Sequence, residues 1–431
     1  MKSYKNLSLA LAGASCALMG SSVQAATAGE ADVGDWDLSS AVLFYSEPDR
    51  VSAVEPILKG VKRIDTDETL TLKLTLDSLT GASANGALPS DRAQTFTRPS
   101  GNGSFVTDAG ETPLDDTFRD TRVAFNASWE KPLSRMTRMT LGANLSSEYD
   151  YTSLSASSTF STDFNQRNTT LSYGLSLAAD TINPEGEIPI AFSAMKNAGD
   201  PPNRRTDSDD KTTVDALVGV TQVIDRNSLF VVNYGLSQAD GYMTDPFKVL
   251  SLVDNNGRPT VADAQTGLAD VVYENRPDSR TKHTVYAQYK RAFDANSLDL
   301  SYRFMSDDWG VDSHTLDVRY RFNRSAQSYW EPHVRLYQQG EADFYRAFYR
   351  DGEQPSAGDQ TEFASADYRL ADMTAYTLGL EYGRSGTHPW ALAMEYYTQS
   401  PNTPADAFGV MKKQDLLPPV DAVMLRFKYD F

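Results

Sequence analysis

Cysteine is almost absent from this sequence: 431 residues contain one, Cys16. Histidine is scarce too, and His283, His314, His333 and His388 stand at least 19 residues apart. There is no HExxH pair and no CxxCH, so covalent haem attachment is excluded and a metal centre would have to be assembled from distant segments. After residue 26 no apolar run approaches the roughly 18 residues that mark a membrane-spanning helix, and the mean hydropathy is -0.45. A helical membrane protein is therefore excluded. Positive charge is also in short supply, with 40 Lys and Arg against 58 Asp and Glu and a net charge of -18. Such a surface repels phosphate backbones, which argues against nucleic acid as a partner.

What is present begins with an export pattern. Lys2 and Lys5 precede an apolar stretch from Leu7 to Met19, and small residues lead to Val23-Gln24-Ala25. That is the order of a cleaved secretory leader over residues 1–25. Cleavage removes Cys16 and leaves a mature chain with no disulfide, thiol nucleophile or cysteine metal site. Gly13, three residues before Cys16, does not suit lipidation. Loss of the two lysines leaves 38 basic against 58 acidic residues, a net of -20.

The mature chain alternates. Leu70-Leu72-Leu74-Leu76, Val123-Phe125-Ala127-Trp129, Met139-Leu141-Ala143-Leu145, Leu171-Tyr173-Leu175-Leu177, Ile188-Ile190-Phe192, Val214-Ala216-Val218-Val220 and Phe230-Val232-Tyr234-Leu236 place apolar residues at every second position. Val285-Ala287-Tyr289, Leu298-Leu300-Tyr302-Phe304, Leu316-Val318-Tyr320-Phe322, Val334-Leu336, Tyr376-Leu378-Leu380-Tyr382 and Trp390-Leu392-Met394-Tyr396 continue the pattern. Val423, Leu425, Phe427, Tyr429 and Phe431 end it on an aromatic. Period two shows one face to each side of a sheet, and segments of this length cross a bilayer at a tilt. The last segment resembles the closing strand of bacterial outer-membrane barrels, which implies that Phe427, Tyr429 and Phe431 form the signal read by the barrel assembly machinery.

These fourteen segments predict an all-β fold, a transmembrane antiparallel up-and-down barrel over residues 36–431 with a short periplasmic segment at 26–35. Trp36–Tyr45 and Arg50–Leu58 either form one further hairpin around Ser46-Glu47-Pro48-Asp49, giving sixteen strands, or make a periplasmic arm or plug and leave fourteen. Loop lengths separate by side. Lys131–Arg135, Asn183–Gly186, Asp225–Asn227, Asp294–Asn296, Asn323–Ser328 and Arg384–His388 read as tight periplasmic turns. Gly81–Thr117, Ser153–Asn165, Lys196–Lys211, Gly241–Ser279, Gly340–Leu370 and Ser400–Val420 read as long extracellular loops, with only Asp307–Asp312 short. This phase requires Ile188–Ala194 to be a strand of its own.

Phe44-Tyr45-Ser46-Glu47-Pro48-Asp49-Arg50, then Asp77-Ser78-Leu79-Thr80-Gly81-Ala82-Ser83, then Asp163-Phe164-Asn165 with Asn168-Thr169-Thr170, resemble the landmarks of the domain of unknown function 3570 family. The resemblance covers nearly the whole mature chain. It implies an outer-membrane barrel of a Gram-negative bacterium and no established activity. Family members are often encoded beside periplasmic thioredoxin-like proteins and flavin transferases, which implies a link to an envelope redox pathway without placing redox chemistry in this chain.

With the apolar face toward lipid, the lumen receives Lys290, Asp299, Arg303, Asp317, Arg319, Arg321, Glu331, His333 and Arg335, then Glu381 and Glu395, then Arg426, Lys428 and Asp430. Such a lining either selects permeating ions and solutes or forms a lattice of salt bridges that braces the wall. Ser301 or Ser313 with His314 or His333 has no spacing that favours hydrolysis, so no enzyme and no cofactor is expected. Asp115-Asp116, Asp207-Ser208-Asp209-Asp210 and Asp254-Asn255-Asn256-Gly257 lack the calcium-loop spacing and read as solvated loop surface. Expected partners are outer-membrane lipids and lipopolysaccharide, the assembly machinery and a periplasmic protein. Two functions fit: a porin-like diffusion channel for small polar or charged solutes, or a non-conducting scaffold for an envelope system.

Overall fold

The computed structural model describes residues 33–48, 50–417 and 419–431. The expected leader, and all but the end of the segment at 26–35, lie outside the described residues. Sixteen strands close into one barrel. They are β1 (Trp36–Ser46), β2 (Val51–Asp65), β3 (Glu68–Ala84), β4 (Leu114–Pro132), β5 (Thr137–Ser147), β6 (Tyr151–Phe164), β7 (Thr169–Ile182) and β8 (Asp209–Asp225). Then come β9 (Ser228–Gly241), β10 (Ser279–Ala292), β11 (Asn296–Asp307), β12 (Asp312–Ser325), β13 (Ser328–Gln339), β14 (Met373–Arg384), β15 (Trp390–Pro401) and β16 (Val420–Asp430). Neighbours in sequence pair antiparallel, and β1 closes on β16 from Ser39↔Asp430 to Ser46↔Val423. Closure leaves no free strand edge, which a bilayer requires.

The alternation explains the wall. Leu175, Leu177, Leu378 and Met394 point outward and are all exposed, while their neighbours Ser176, Gly379 and Glu395 point inward. Around the periplasmic end the outward aromatics touch in series: Tyr320 with Phe322, Trp330 with Tyr382, Tyr382 with Trp390, and Tyr429 with Phe431. An exposed apolar band edged by aromatics is the surface a bilayer covers. Phe431 caps this end, and its backbone N–H donates to the Leu38 carbonyl at 3.0 Å, fastening the terminus to β1.

The expected hairpin at 36–58 is present as β1 and β2, so sixteen strands replace the alternative of fourteen. Two other expectations are corrected. Ile188–Ala194 is not a barrel strand: Ile188–Pro189 pairs with Arg204–Thr206 and Ala194 bridges Val272, both within the loops, and Ile188 and Phe192 are buried. Alternation there reflects a protein core rather than lipid, and Asn183–Gly186 opens an extracellular loop instead of closing a periplasmic turn. Conversely 153–165 is not a loop but most of β6. Its outward residues Thr152, Ala156, Ser158 and Thr162 are small or hydroxylic and leave only Leu154, Phe160 and Phe164 to mark the face. The two errors cancel in the count.

The turn after β6 accounts for one landmark of the sequence. Asn165, Gln166 and Arg167 all have φ between 48° and 68°, a left-handed run that costs energy for residues with side chains. Thr170 donates its hydroxyl to Asp163 Oδ1 at 2.7 Å and Asn165 Nδ2 donates to Thr169 Oγ1 at 3.0 Å. These bonds order the turn and start β7, as expected of the residue types.

The five long extracellular segments, 85–113, 183–208, 242–278, 340–372 and 402–419, fold together. Val249–Val253 runs between Val271–Tyr273 and Phe348–Arg350 as a small sheet, and Gln94–Thr97 pairs with Ser104–Thr107 in another. Phe96, Phe105, Met195, Val249 and Leu268 share one buried cluster; Phe192, Leu250, Val272 and Tyr349 share a second; Leu88, Val253, Phe348, Met411 and Leu416 share a third. Every long segment contributes. The molecule's water-type hydrophobic core is this cap.

Candidate functional site

The lumen wall has two unlike arcs. On β5 to β7 the inward residues of the middle stretch are small and neutral, Gly142, Asn144 and Ser146, then Ser153, Ser155 and Ser157, then Ser172, Gly174 and Ser176, with Arg138, Asp163 and Asp180 toward the strand ends. From β10 to β16 they are charged, as the alternation predicts. Lys290 Nζ lies 3.1 Å from Asp299 Oδ2. Arg321 Nε donates to Glu331 Oε2 at 2.7 Å, and Arg319 lies 3.5 Å from Asp317 and 3.9 Å from Glu331. His333 bridges two carboxylates, with Nε2 2.8 Å from Asp317 and Nδ1 3.0 Å from Glu395. Arg426 donates to Glu381 at 3.0 Å, and the Tyr329 hydroxyl donates to the same carboxylate at 2.8 Å. Most of the predicted lumen charges therefore meet as a lattice. Arg303 and Arg335 stay outside it.

Lys290, Asp299, Arg319 and Arg426 keep about a third of their side-chain surface exposed. They face accessible space, and solvent screens their pairs. Toward the extracellular end the lining is drier. Arg280 pairs with Asp307, whose side chain is fully buried, and Arg122 lies 3.2 Å from the buried Asp77.

The cap closes on that end from opposite sides. Trp309, Val311, Ala342 and Leu370 cluster with Met243 of the cap and Met305 of β11. Phe247, four residues beyond Met243, packs on Leu79 of β3, as do Val51 and Ala53 of β2. In a ring of sixteen, β3 and β11 stand eight strands apart. Gln339 of β13 donates its amide to the carbonyls of Arg369 and Ala371, both at 2.9 Å, and Lys248 Nζ donates to the Ala84 carbonyl at 2.6 Å. The segment 243–247 and the turn Tyr368–Leu370 thus reach inward-facing residues around the mouth.

A buried ionic latch joins these two segments. Arg276 contacts Glu274 at 2.6 Å and Asp367 at 2.8 Å; Arg369 contacts Asp367 and reaches Asp245 at 3.0 Å. Ser365 donates its hydroxyl to Glu274, and the Asp245 backbone N–H donates to the same carboxylate at 2.8 Å. Burial pushes Asp367 up, but Arg369 and Arg276 outweigh it and hold the carboxyl well below the ordinary range. Burial likewise pushes Asp245 up, and Lys248 and Arg369 bring it below. For Glu274 burial wins over Arg276, and its carboxyl is raised. The sequence gives no sign of this group, because Arg369 and Asp245 are 124 residues apart in loops without periodicity.

The closed sheet, apolar belt, aromatic edge and asymmetric loops define an outer-membrane β-barrel. The chain belongs to the family described as a protein of unknown function, DUF3570, which matches residues 8–431. No curated protein matches it. Among solved structures it is similar to the siderophore receptor PirA from Acinetobacter baumannii, at 9% identity and a TM-score of 0.41, over 86% of this chain and 54% of that one. It is similar to the ferric enterobactin receptor PfeA from Pseudomonas aeruginosa at 11% and 0.43, over 90% and 60%. A bacterial polysaccharide outer membrane secretin matches at 10% and 0.43, over 93% and 100%. The chain spans little more than half the length of the receptors. These likenesses are too distant to carry chemistry from those proteins to this one.

Proposed function

We propose that the protein is a capped channel for small polar or charged solutes, closed to free diffusion at rest and opened by displacement of the cap. The observation behind this reading is the cap that packs on β3 and on β11 across the extracellular mouth. A general diffusion pore needs an open path, whereas loops that share their own buried core can move as a unit and serve as a lid. The reading assigns the chain no catalytic step and no cofactor. Its partners are the lipids and lipopolysaccharide around the belt and the assembly machinery at the terminal strand.

The test is conductance in a planar bilayer. Native protein should show little steady current, and the Arg276→Gln, Arg369→Gln double variant, which unfastens the latch, should conduct. Large steady current from the native protein would instead support a plain diffusion pore. A second reading, a scaffold that docks a periplasmic protein of an envelope system, is favoured by the lattice from Lys290 to Arg426, since such pairs brace a wall without any need for flow. It predicts that the unlatched variant stays silent.

A further inference from the structure

Of the arginines that point into the lumen from β10 to β16, Arg280, Arg319, Arg321 and Arg426 each hold a carboxylate. Arg303 and Arg335 form no ion pair or hydrogen bond among the described residues, although both are partly buried. The carboxylate directly across from Arg335 in the β12–β13 register is Asp317. It is already engaged by His333 and Arg319. The two guanidinium groups stand on β11 and β13, separated by β12, and the charge of Arg335 acts on Arg303.

Strand register fixes what surrounds them. Tyr286 of β10 stands opposite Arg303 of β11, Arg303 opposite Thr315 of β12, and Thr315 opposite Tyr337 of β13, so these four form one row across four adjacent strands. Arg335 lies two positions below Tyr337 on the same strand, and its charge also acts on Tyr397 of β15. Two like charges that must share Asp317 with His333 and Arg319 cost energy in a partly buried wall, while the other lumen arginines on these strands each hold a carboxylate. Planar guanidinium groups match the oxygen pairs of carboxylate and phosphate, and tyrosine rings add apolar faces, the hydroxyls of Tyr337 and Tyr397 being held by Gln339 and Gln399 at 2.6 Å.

We propose that Arg303 and Arg335, flanked by Tyr286, Tyr337 and Tyr397, form a binding site on the lumen wall for a small anion that presents a carboxylate or phosphate group. The proposal rests on the lumen being the working surface of the protein, as in the channel reading, and it supplies that reading with a solute class. The anion occupies the gap between the two guanidinium groups and cancels their repulsion.

Equilibrium binding to purified full-length protein in detergent tests the site without requiring conduction, so a failed gating experiment and a failed site are distinguishable. The probes are inorganic phosphate and benzoate, titrated by calorimetry at low salt. Native protein should bind at least one, and which one it binds identifies the group recognised. Arg303→Gln and Arg335→Gln should each weaken that binding by about tenfold or more, and Lys282→Gln, a lumen cation outside the row, should leave it unchanged. Arg303→Lys keeps the charge without the planar fork and should also weaken binding, which covers the case in which a Gln variant fails to assemble. If neither probe binds native protein, or if the folded arginine variants bind as well as native, the site is wrong.

Discussion

Leu175 on the barrel wall is 60% exposed and Leu250 in the cap is 0% exposed. The residue type is the same and the setting is opposite. The wall puts its leucines, valines and aromatics outside and takes its apolar environment from hydrocarbon, so exposure there is not contact with water. The cap buries Phe96, Ile188, Leu250 and Met411 completely, as any water-soluble domain does. The two regions also treat charge differently. The wall lets its pairs face accessible lumen, whereas the cap locks Glu274, Arg276 and Asp367 out of solvent, with Arg369 at the edge of the group. A single chain thus obeys two solvents, and each region should respond to substitution by the rules of its own.

The largest separation should come from the cap core. Phe96→Ala removes a side chain that packs against Phe105 at 5.4 Å between ring centroids and should cost the cap about 3–5 kcal/mol. Limited proteolysis should then cut within 85–113, while the barrel keeps its heat-modifiable mobility on a gel. If the barrel melts along with the cap, the two are one cooperative unit and the comparison fails.

The wall should answer to phase instead. Leu175→Lys should cost about 2–4 kcal/mol near the bilayer midplane, and Ser176→Lys, one residue away but inward, should cost much less. Denaturant unfolding in lipid vesicles reads the difference. Equal costs would show that the outward face is misassigned.

Acid should distinguish the regions next. Asp245 and Asp367 are held below the ordinary carboxylate range when folded, so their stabilisation is complete above about pH 4 and is lost as pH falls further. Glu274 is raised and contributes the opposite slope, because it favours the folded cap as it takes up its proton. Two depressed groups against one raised group leave a net loss. The cap should loosen below about pH 4, as seen by hydrogen exchange at the long loops, and Asp367→Asn should flatten the profile. A pH-independent cap would exclude the latch as its fastening.

The wall was largely legible in the sequence and the cap was not. Outward Leu171, Tyr173, Leu175 and Leu177 announce β7 because lipid imposes period two on a short local stretch. The same rule failed for β6, where Ser158 and Thr162 face outward, and misled at Ile188, where a folded loop buries alternate residues. Inward charges such as Arg319 and Glu331 followed from phase alone, but their partners depend on strand register, which a single sequence does not specify. The cap core joins Phe96, Met195, Val249 and Leu268 from three separate loops. No local pattern links them, so neither the cap nor its latch could be read in advance.

The smallest effect is the one that separates a wet wall from a dry cap. Lys290 and Asp299 form a pair at 3.1 Å with side chains 35% and 30% exposed, in contrast to Arg369 and the almost fully buried Asp367. Solvent screens the first pair, and Lys290→Gln should cost less than about 1 kcal/mol. Arg369→Gln removes the ion-pair partner of Asp245 and one of the two guanidinium groups on Asp367 in a closed interior and should cost the cap about 3–5 kcal/mol. Both can be read from one urea titration, by proteolysis for the cap and by gel mobility for the barrel. If Lys290→Gln is as damaging as Arg369→Gln, the lattice is a dry brace rather than the lining of a water-filled lumen, and the channel reading falls with it.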